Sequence, residues 1–119
     1  RRFANTDSGF PHLIRPVLYD AYHHIVNLSN PHGSLRTYDI CGNICESGDC
    51  FASGRSMPKI REEDILAVQN AGAYCYSMGG LYNLRAMPAE ILTLNGKERM
   101  VRRSSSEEEL VESILAECL

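Results

Sequence analysis

No apolar run in the 119-residue sequence approaches the roughly 18 to 20 residues needed to cross a bilayer, so a membrane-spanning helix is excluded. No charged-then-apolar leader is present, and Arg1-Arg2-Phe3 opens the chain without Met. The start reads as an internal point of a longer chain or as a trimmed product. The net charge of −3 gives no overall basic footprint for nucleic acid. The five cysteines, Cys41, Cys45, Cys50, Cys75 and Cys118, are an odd number and fit a closed disulfide framework poorly. Cys41 and Cys45 have a zinc-like spacing with Cys50 close by, but no second pair and no histidine cluster completes a site. Reduced thiols in a cytosolic protein are the expectation. What is there is ordinary globular material: 44% apolar and 23% charged residues, enough for one domain with one core.

The residue pattern predicts mostly strands. Ile91 to Leu94, then Asn95-Gly96, then Lys97 to Val101 reads as a hairpin, because Asn-Gly supplies the positive φ angles of a type I′ turn. Ile65-Leu66-Ala67-Val68 suits a buried strand, and Tyr38 to Ile44 and His24 to Leu28 are two more. Ser29 to Ser34 is a loop by composition, and Pro58 marks a break. Pro11 and Pro16 limit Leu13 to Tyr19 to a helical turn or irregular segment. Ser106 followed three residues later by Glu109 has the form of a capping box. Leu110, Val111, Ile114, Leu115 and Cys118 then recur at helical spacing, predicting a terminal helix over 106–117. The expected architecture is a mostly β domain over residues 1–119, a sandwich or partly closed barrel with a C-terminal helix.

Ile44-Cys45-Glu46-Ser47-Gly48-Asp49 is the segment richest in chemistry. It sets a thiol beside a carboxylate, followed by residues that favour a turn. A thiol donates a proton and a carboxylate binds an ammonium group. At a strand end or bend both side chains reach one pocket, whereas on a continuous strand they point apart.

Cys45-Glu46-Ser47-Gly48-Asp49 resembles the Cys-Glu-Ser-x-Asp motif of the diaminopimelate decarboxylases, which are alanine-racemase-like, fold-type III (group IV) pyridoxal-phosphate enzymes. Upstream, Arg15-Pro16-Val17-Leu18-Tyr19-Asp20-Ala21-Tyr22-His23 is similar to the family's Arg-Pro-x-Leu-Tyr-x-Ala-Tyr-His segment. Downstream, Gly72-Ala73-Tyr74-Cys75-Tyr76-Ser77-Met78 is similar to its Gly-Ala-Tyr-x-x-Ser-Met segment. Asp7-Ser8-Gly9, Tyr82-Asn83, Arg85 and Pro88-Ala89-Glu90 extend the match, which runs in order from about residue 5 to residue 103. Three motifs in register are a specific signal.

The resemblance implies a role for each matching position. Arg15 would pair with a substrate carboxylate, since its planar guanidinium suits two-point recognition. Tyr19 would hydrogen-bond the same end of the substrate. Cys45 would return a proton to Cα after CO₂ leaves; an ordinary thiol titrates near ~8.5 and is largely protonated at neutral pH. Glu46 would hold the distal ammonium of meso-diaminopimelate. Tyr74 would contact both cofactor and substrate. His23 and His24 read as structural. The implied reaction is decarboxylation of meso-2,6-diaminopimelate to L-lysine with pyridoxal 5′-phosphate as electron sink. The implied partner is an N-terminal TIM-like barrel in a homodimer whose active sites lie at the interface. The implied location is the cytoplasm, or a plastid in a plant.

Some positions depart from the family pattern. Asn43 stands where Pro often precedes Ile-Cys, Gly79-Gly80-Leu81 replaces Ala-Ser-Asn, and Ala86-Met87 replaces Pro-Arg. None removes a carried-over side chain, although the glycines put the rigidity of the loop after Tyr74 in doubt. The two lysines, Lys59 and Lys97, match no cofactor-lysine context, so the isolated chain is expected to be inactive. Two other readings compete: a decarboxylase of D-lysine, D-ornithine or another amino acid of this group, and a non-catalytic interaction domain derived from such an enzyme. Glu46 favours diaminopimelate over the ornithine-type relatives, which usually carry Asp there. Retention of Arg15, Cys45, Glu46 and Tyr74 together argues against the interaction domain.

Overall fold

In the computed structural model, which describes residues 1–118, the backbone divides into two compact units, residues 1–79 and residues 80 onward. The first is organised by two antiparallel strands, β3 (Leu35–Cys41) and β4 (Cys50–Pro58). Their facing residues Tyr38, Ile40, Phe51, Ala52 and Met57 are buried together with Leu13, Ile25 and Ala71, forming this unit's core. Strand β1 (Phe3–Asn5) pairs in parallel with β3 to complete a three-stranded sheet. Strands β2 (Ile25–Asn27) and β5 (Leu66–Val68) form a separate antiparallel pair. The sheets stay open, and the mostly β expectation holds.

Strand β4 is absent from the sequence prediction, and the structure shows why. Cys50 to Pro58 contains no β-branched residue, and its alternation is broken by two irregularities in the pairing with β3. At one of them Ser53 and Gly54 together face Asp39. Gly54 takes a φ of +61°, and its N–H donates to the Asp39 carboxylate at 2.7 Å. Strand β3 likewise ends at Cys41 rather than at Ile44, because residues 42–49 leave the ladder as a loop. The short strand β1 was not expected either. Three residues carry no periodic signal, and β1 is defined by its partner.

The loops of this unit are tied by buried polar side chains. Asn27, only 2% exposed, uses its whole amide. Its Oδ1 accepts from the N–H groups of Ser29 and Asn30, and its Nδ2 donates to the Asp64 carboxylate at 2.8 Å and to the Lys59 carbonyl at 3.3 Å. The Asn27 amide, then the backbone N–H and guanidinium of Arg61, hold the Asp64 carboxyl below its ordinary pKa of 3.8. A carboxylate with a lowered folded pKa stabilises the fold above its unfolded pKa. That contribution is lost as pH falls through the lowered value. Thermal melts between about pH 5 and pH 2 are therefore expected to show a falling midpoint, with a shallower fall in Asp64→Asn. Equal slopes for the two proteins would show that Asp64 is not a source of the acid sensitivity.

Helix α1 (Arg15–Tyr19) is the short turn that Pro16 permits in the first turn of a helix, closed by Asp20 in the left-handed region at φ 54°. Helix α2 (Gly72–Cys75) is a further single turn.

The second unit contains the β6 (Glu90–Leu94) and β7 (Lys97–Arg102) hairpin and helix α3 (Glu107–Glu117). Asn95 and Gly96 both have positive φ, as the type I′ turn requires. Ser106 accepts from the Glu109 N–H, and the Glu109 carboxylate accepts from the Ser106 N–H, so the predicted capping box is present. Arg103 and the Ser106 N–H hold the Glu109 carboxyl down to about 2.

Candidate functional site

The site is built on the loop that joins β3 to β4. Cys45 and Glu46 lie in it, both exposed, outside the regular ladder. Because β3 ends at Cys41, neither residue is held to the alternating faces of a strand. The loop instead folds around one carboxylate. Asp49, only 4% exposed, accepts from the Ile44 N–H through Oδ2 at 3.2 Å and from the Phe10 N–H through Oδ1 at 2.8 Å. Its own N–H donates to the Glu46 carbonyl at 3.0 Å, and its carbonyl accepts from Gly42 at 2.9 Å. Asn43 N–H donates to Ser8 at 2.9 Å, docking the loop onto the Asp7-Ser8-Gly9 segment. A Cβ on Gly42 would overlap the Asp49 carboxylate, so glycine is required there by close approach.

Asp49 is thus the member of the motif whose task sequence reasoning missed. It was read only as a turn-forming residue. Its place three positions after Glu46, among Gly and Ser, was the available signal. The Glu46 carboxylate itself accepts from the Gly48 N–H at 3.2 Å and from the Ser47 hydroxyl at 3.4 Å, which gives the side chain a preferred direction.

Arg15 and Tyr74 are brought together. The Arg15 guanidinium lies over the Tyr74 ring, 4.7 Å from its centroid, although 59 positions separate them (74 − 15). Arg15 opens α1 and Tyr74 lies in α2, so two short helical turns present the pair. The stacked ring restrains the guanidinium while its N–H edges remain suited to a carboxylate. Tyr19, at the far end of α1, is 61% exposed and Tyr74 46%, so neither is packed in the core. The described geometry establishes the Arg15–Tyr74 pair and the Cys45–Glu46 loop as two groupings within the first unit.

His23 has a structural place. Its side chain is buried, its Nδ1 faces the Gln69 carbonyl at 3.0 Å, and its own carbonyl accepts from Arg55 at 2.8 Å. His24 faces the Tyr22 hydroxyl at 3.3 Å. Among the described residues no three His, Cys, Asp or Glu side chains converge to hold a metal ion. No helix among them is long and apolar enough to cross a membrane.

The fold is an open, mostly β unit that exposes the Cys45 thiol and the Glu46 carboxylate on one loop and stacks the Arg15 guanidinium on the Tyr74 ring. Residues 1–72 match the family model described as "Pyridoxal-dependent decarboxylase, C-terminal sheet domain", and the chain belongs to that family. Within it the similarity is to diaminopimelate decarboxylases. That of Methanothermobacter thermautotrophicus is 46% identical over 112 residues, covering 93% of this chain and 26% of the relative. That of Campylobacter jejuni is 40% identical over 111 residues, covering 93% of this chain and 27% of the relative. Among solved structures, AQ1208 from Aquifex aeolicus superposes with a TM-score of 0.89 at 38% identity, covering 95% of this chain and 28% of that one. The chain spans about a quarter of the length of these relatives.

Proposed function

We propose that this chain is the C-terminal domain of a diaminopimelate decarboxylase, acting on meso-2,6-diaminopimelate together with an N-terminal pyridoxal-phosphate domain. The observation that carries the reading is the anchored loop presenting Cys45 and Glu46 in the same unit as the Arg15–Tyr74 pair. Each group suits one feature of the substrate. A guanidinium held over a ring binds a carboxylate. A carboxylate binds an ammonium group four carbons from the reacting centre. A thiol returns one proton to carbon.

The residues present fit a pyridoxal-phosphate site in part. Tyr74 offers a half-exposed ring and phenol beside a cation, suited to the edge of an aromatic, anionic cofactor. Neither Lys59 nor Lys97 lies in a sequence context that resembles the family's cofactor lysine. The lysine that anchors the cofactor is assigned to the N-terminal domain. When bound, the cofactor supplies an electron sink for the pair left behind as CO₂ departs. The chain's own contribution is to orient the substrate and to deliver a proton. Arg15 and Tyr19 hold a substrate carboxylate and Glu46 the distal ammonium, and multipoint attachment places Cα opposite a proton donor. The Cys45 Sγ–H then gives its proton to Cα, and the thiol is restored from solvent.

Exposure of Cys45 and Glu46 in the isolated chain agrees with a site completed by another body. We assign that role to the barrel domain across a homodimer interface, in the cytoplasm or plastid. The deciding experiment measures CO₂ release from meso-diaminopimelate, D-lysine and L-ornithine by the full-length protein with pyridoxal phosphate. Preference for meso-diaminopimelate is expected. Turnover of D-lysine or D-ornithine alone would retain the mechanism and change the substrate. No turnover by the intact, cofactor-loaded protein would leave a non-catalytic interaction domain.

A further inference from the structure

Cys41 and Cys50 stand directly opposite each other at the base of the loop that carries Cys45 and Glu46. The Cys41 carbonyl accepts from the Thr6 N–H at 2.8 Å, so the peptide edge of Cys41 faces β1 rather than β4. In an antiparallel ladder this makes Cys41–Cys50 a pair without mutual hydrogen bonds, the kind whose Cα atoms approach to about 4.5 Å and whose side chains lie closest. That spacing falls within the roughly 4.4–6.8 Å that a disulfide spans. The two Sγ atoms are already 3.5 Å apart. Both residues are half-buried, which leaves them within reach of a small reagent. Cys50 has alternative acceptors in the Ile40 and Ala52 carbonyls at 3.4 and 3.3 Å, so its thiol is placed by several weak contacts and not locked by one strong one.

We infer that Cys41 and Cys50 are a modification site: a vicinal dithiol that a low-molecular-weight disulfide converts reversibly to a disulfide bond, clamping the base of the catalytic loop. The step is a double exchange. One cysteine, as its thiolate, attacks a sulfur of the small disulfide. A protein–small-molecule disulfide forms and one small thiol leaves. The second cysteine loses its proton and attacks the protein sulfur of that bond, expelling the second small thiol. Two protein thiols are oxidised, one small disulfide is reduced to two thiols, and no other oxidant is needed.

The bond ties residues that the sheet already holds opposite each other, so it forms without moving Cys45, Glu46 or Asp49. The enclosed loop is short, which limits what closure removes from the unfolded chain and keeps the bond reducible. Burial, and after it the neighbouring Cys50 thiol, push the Cys41 thiol up to about 11, so Cys41 is a slow first nucleophile at neutral pH. Other cysteines are differently placed. Cys75 is half-buried against the core with its pKa raised by burial alone, and Cys118 is exposed beyond α3.

The test uses the full-length protein with pyridoxal phosphate, equilibrated with oxidised and reduced glutathione at graded ratios, quenched in acid, alkylated and digested with trypsin. Cleavage after Arg36 and Arg55 releases one peptide, Thr37–Arg55, that holds Cys41, Cys45 and Cys50. As the ratio becomes oxidising, this peptide is expected to lose two hydrogens and keep a single alkyl label. Further cleavage after Glu46 opens the ring, and fragment-ion sequencing of Thr37–Glu46, which holds both Cys41 and Cys45, is expected to place that label on Cys45. Dithiothreitol restores three labels, and Cys50→Val leaves Cys41 labelled throughout. The crosslinked protein is expected to keep its CO₂-release activity. Labelling of all three cysteines at the most oxidising ratio overturns the inference, as does glutathione or a crosslink on Cys45 ahead of Cys41 and Cys50. The mapping needs only the parent protein and does not depend on the decarboxylase reading, so the two fail separately.

Discussion

Asp49→Ala is expected to cost the protein about 2–4 kcal/mol of stability and to disable the loop that presents Cys45 and Glu46. The reason is the number of groups that depend on one buried carboxylate. Removing it leaves the Phe10 and Ile44 N–H groups without the acceptors they reach at 2.8 and 3.2 Å. Each unsatisfied buried donor costs about 1–3 kcal/mol, and hydrogen bonds to a charged partner lie in the upper part of that range. Asp49→Asn is expected to recover only part of the loss. It keeps one oxygen for one N–H and turns an NH₂ donor toward the other. Asp49→Glu meets a different obstacle, because the Gly42 backbone leaves no room for a longer side chain. Gly42→Ala should therefore resemble Asp49→Ala, although it removes no hydrogen bond, and this pairing separates loop geometry from charge. Thermal melts and kcat/KM of the full-length variants provide the measurement. Parent-like melting together with parent-like turnover in Asp49→Ala would show that something other than this carboxylate holds the loop.

The contrast between Asp49 and Cys45 also shows what was legible in the sequence. Periodic or chemically punctuated segments could be read: the Asn95-Gly96 turn, the Ser106–Glu109 cap and helix α3 appear where local preference puts them. Strand β4 could not, because its pairing is imposed by β3 through two irregularities rather than announced by alternating residues. The end of β3 was misplaced for a related reason. Ile44 looks like a strand residue, yet its N–H is claimed by a side chain five positions on. Motif resemblance located Cys45, Glu46, Arg15, Tyr19 and Tyr74, but not what holds them. The stacking of Arg15 on Tyr74 depends on two helical turns far apart in sequence. Periodicity has no access to such a contact, and neither has a short motif.

Cys45→Ala and Glu46→Gln, adjacent in sequence and similar in exposure, are expected to fail in different ways. In the proposed reaction, Cys45→Ala removes a proton donor used only after CO₂ has left. A positioned general acid contributes typically 10²–10⁴-fold, so kcat for meso-diaminopimelate should fall by about that factor while KM stays near the parent value. Glu46→Gln keeps the shape and the acceptor oxygen that faces Gly48, so the loop should survive, but the proposed ionic partner of the distal ammonium is lost. A charged hydrogen bond of this kind is worth about 1.5–3 kcal/mol, which corresponds to roughly 10- to 150-fold and should appear mainly in KM. The two effects separate further with substrate. A substrate without a second ammonium group makes no use of Glu46, so Glu46→Gln should leave its turnover unchanged, whereas Cys45→Ala should slow every substrate alike. Steady-state kinetics of both variants on meso-diaminopimelate and on an amino acid lacking the distal amine distinguish the cases. A KM effect from Cys45→Ala, or equal losses on both substrates from Glu46→Gln, would reassign the pair as packing around the loop. The thiol would then have no part in proton delivery, and the carboxylate none in choosing the substrate.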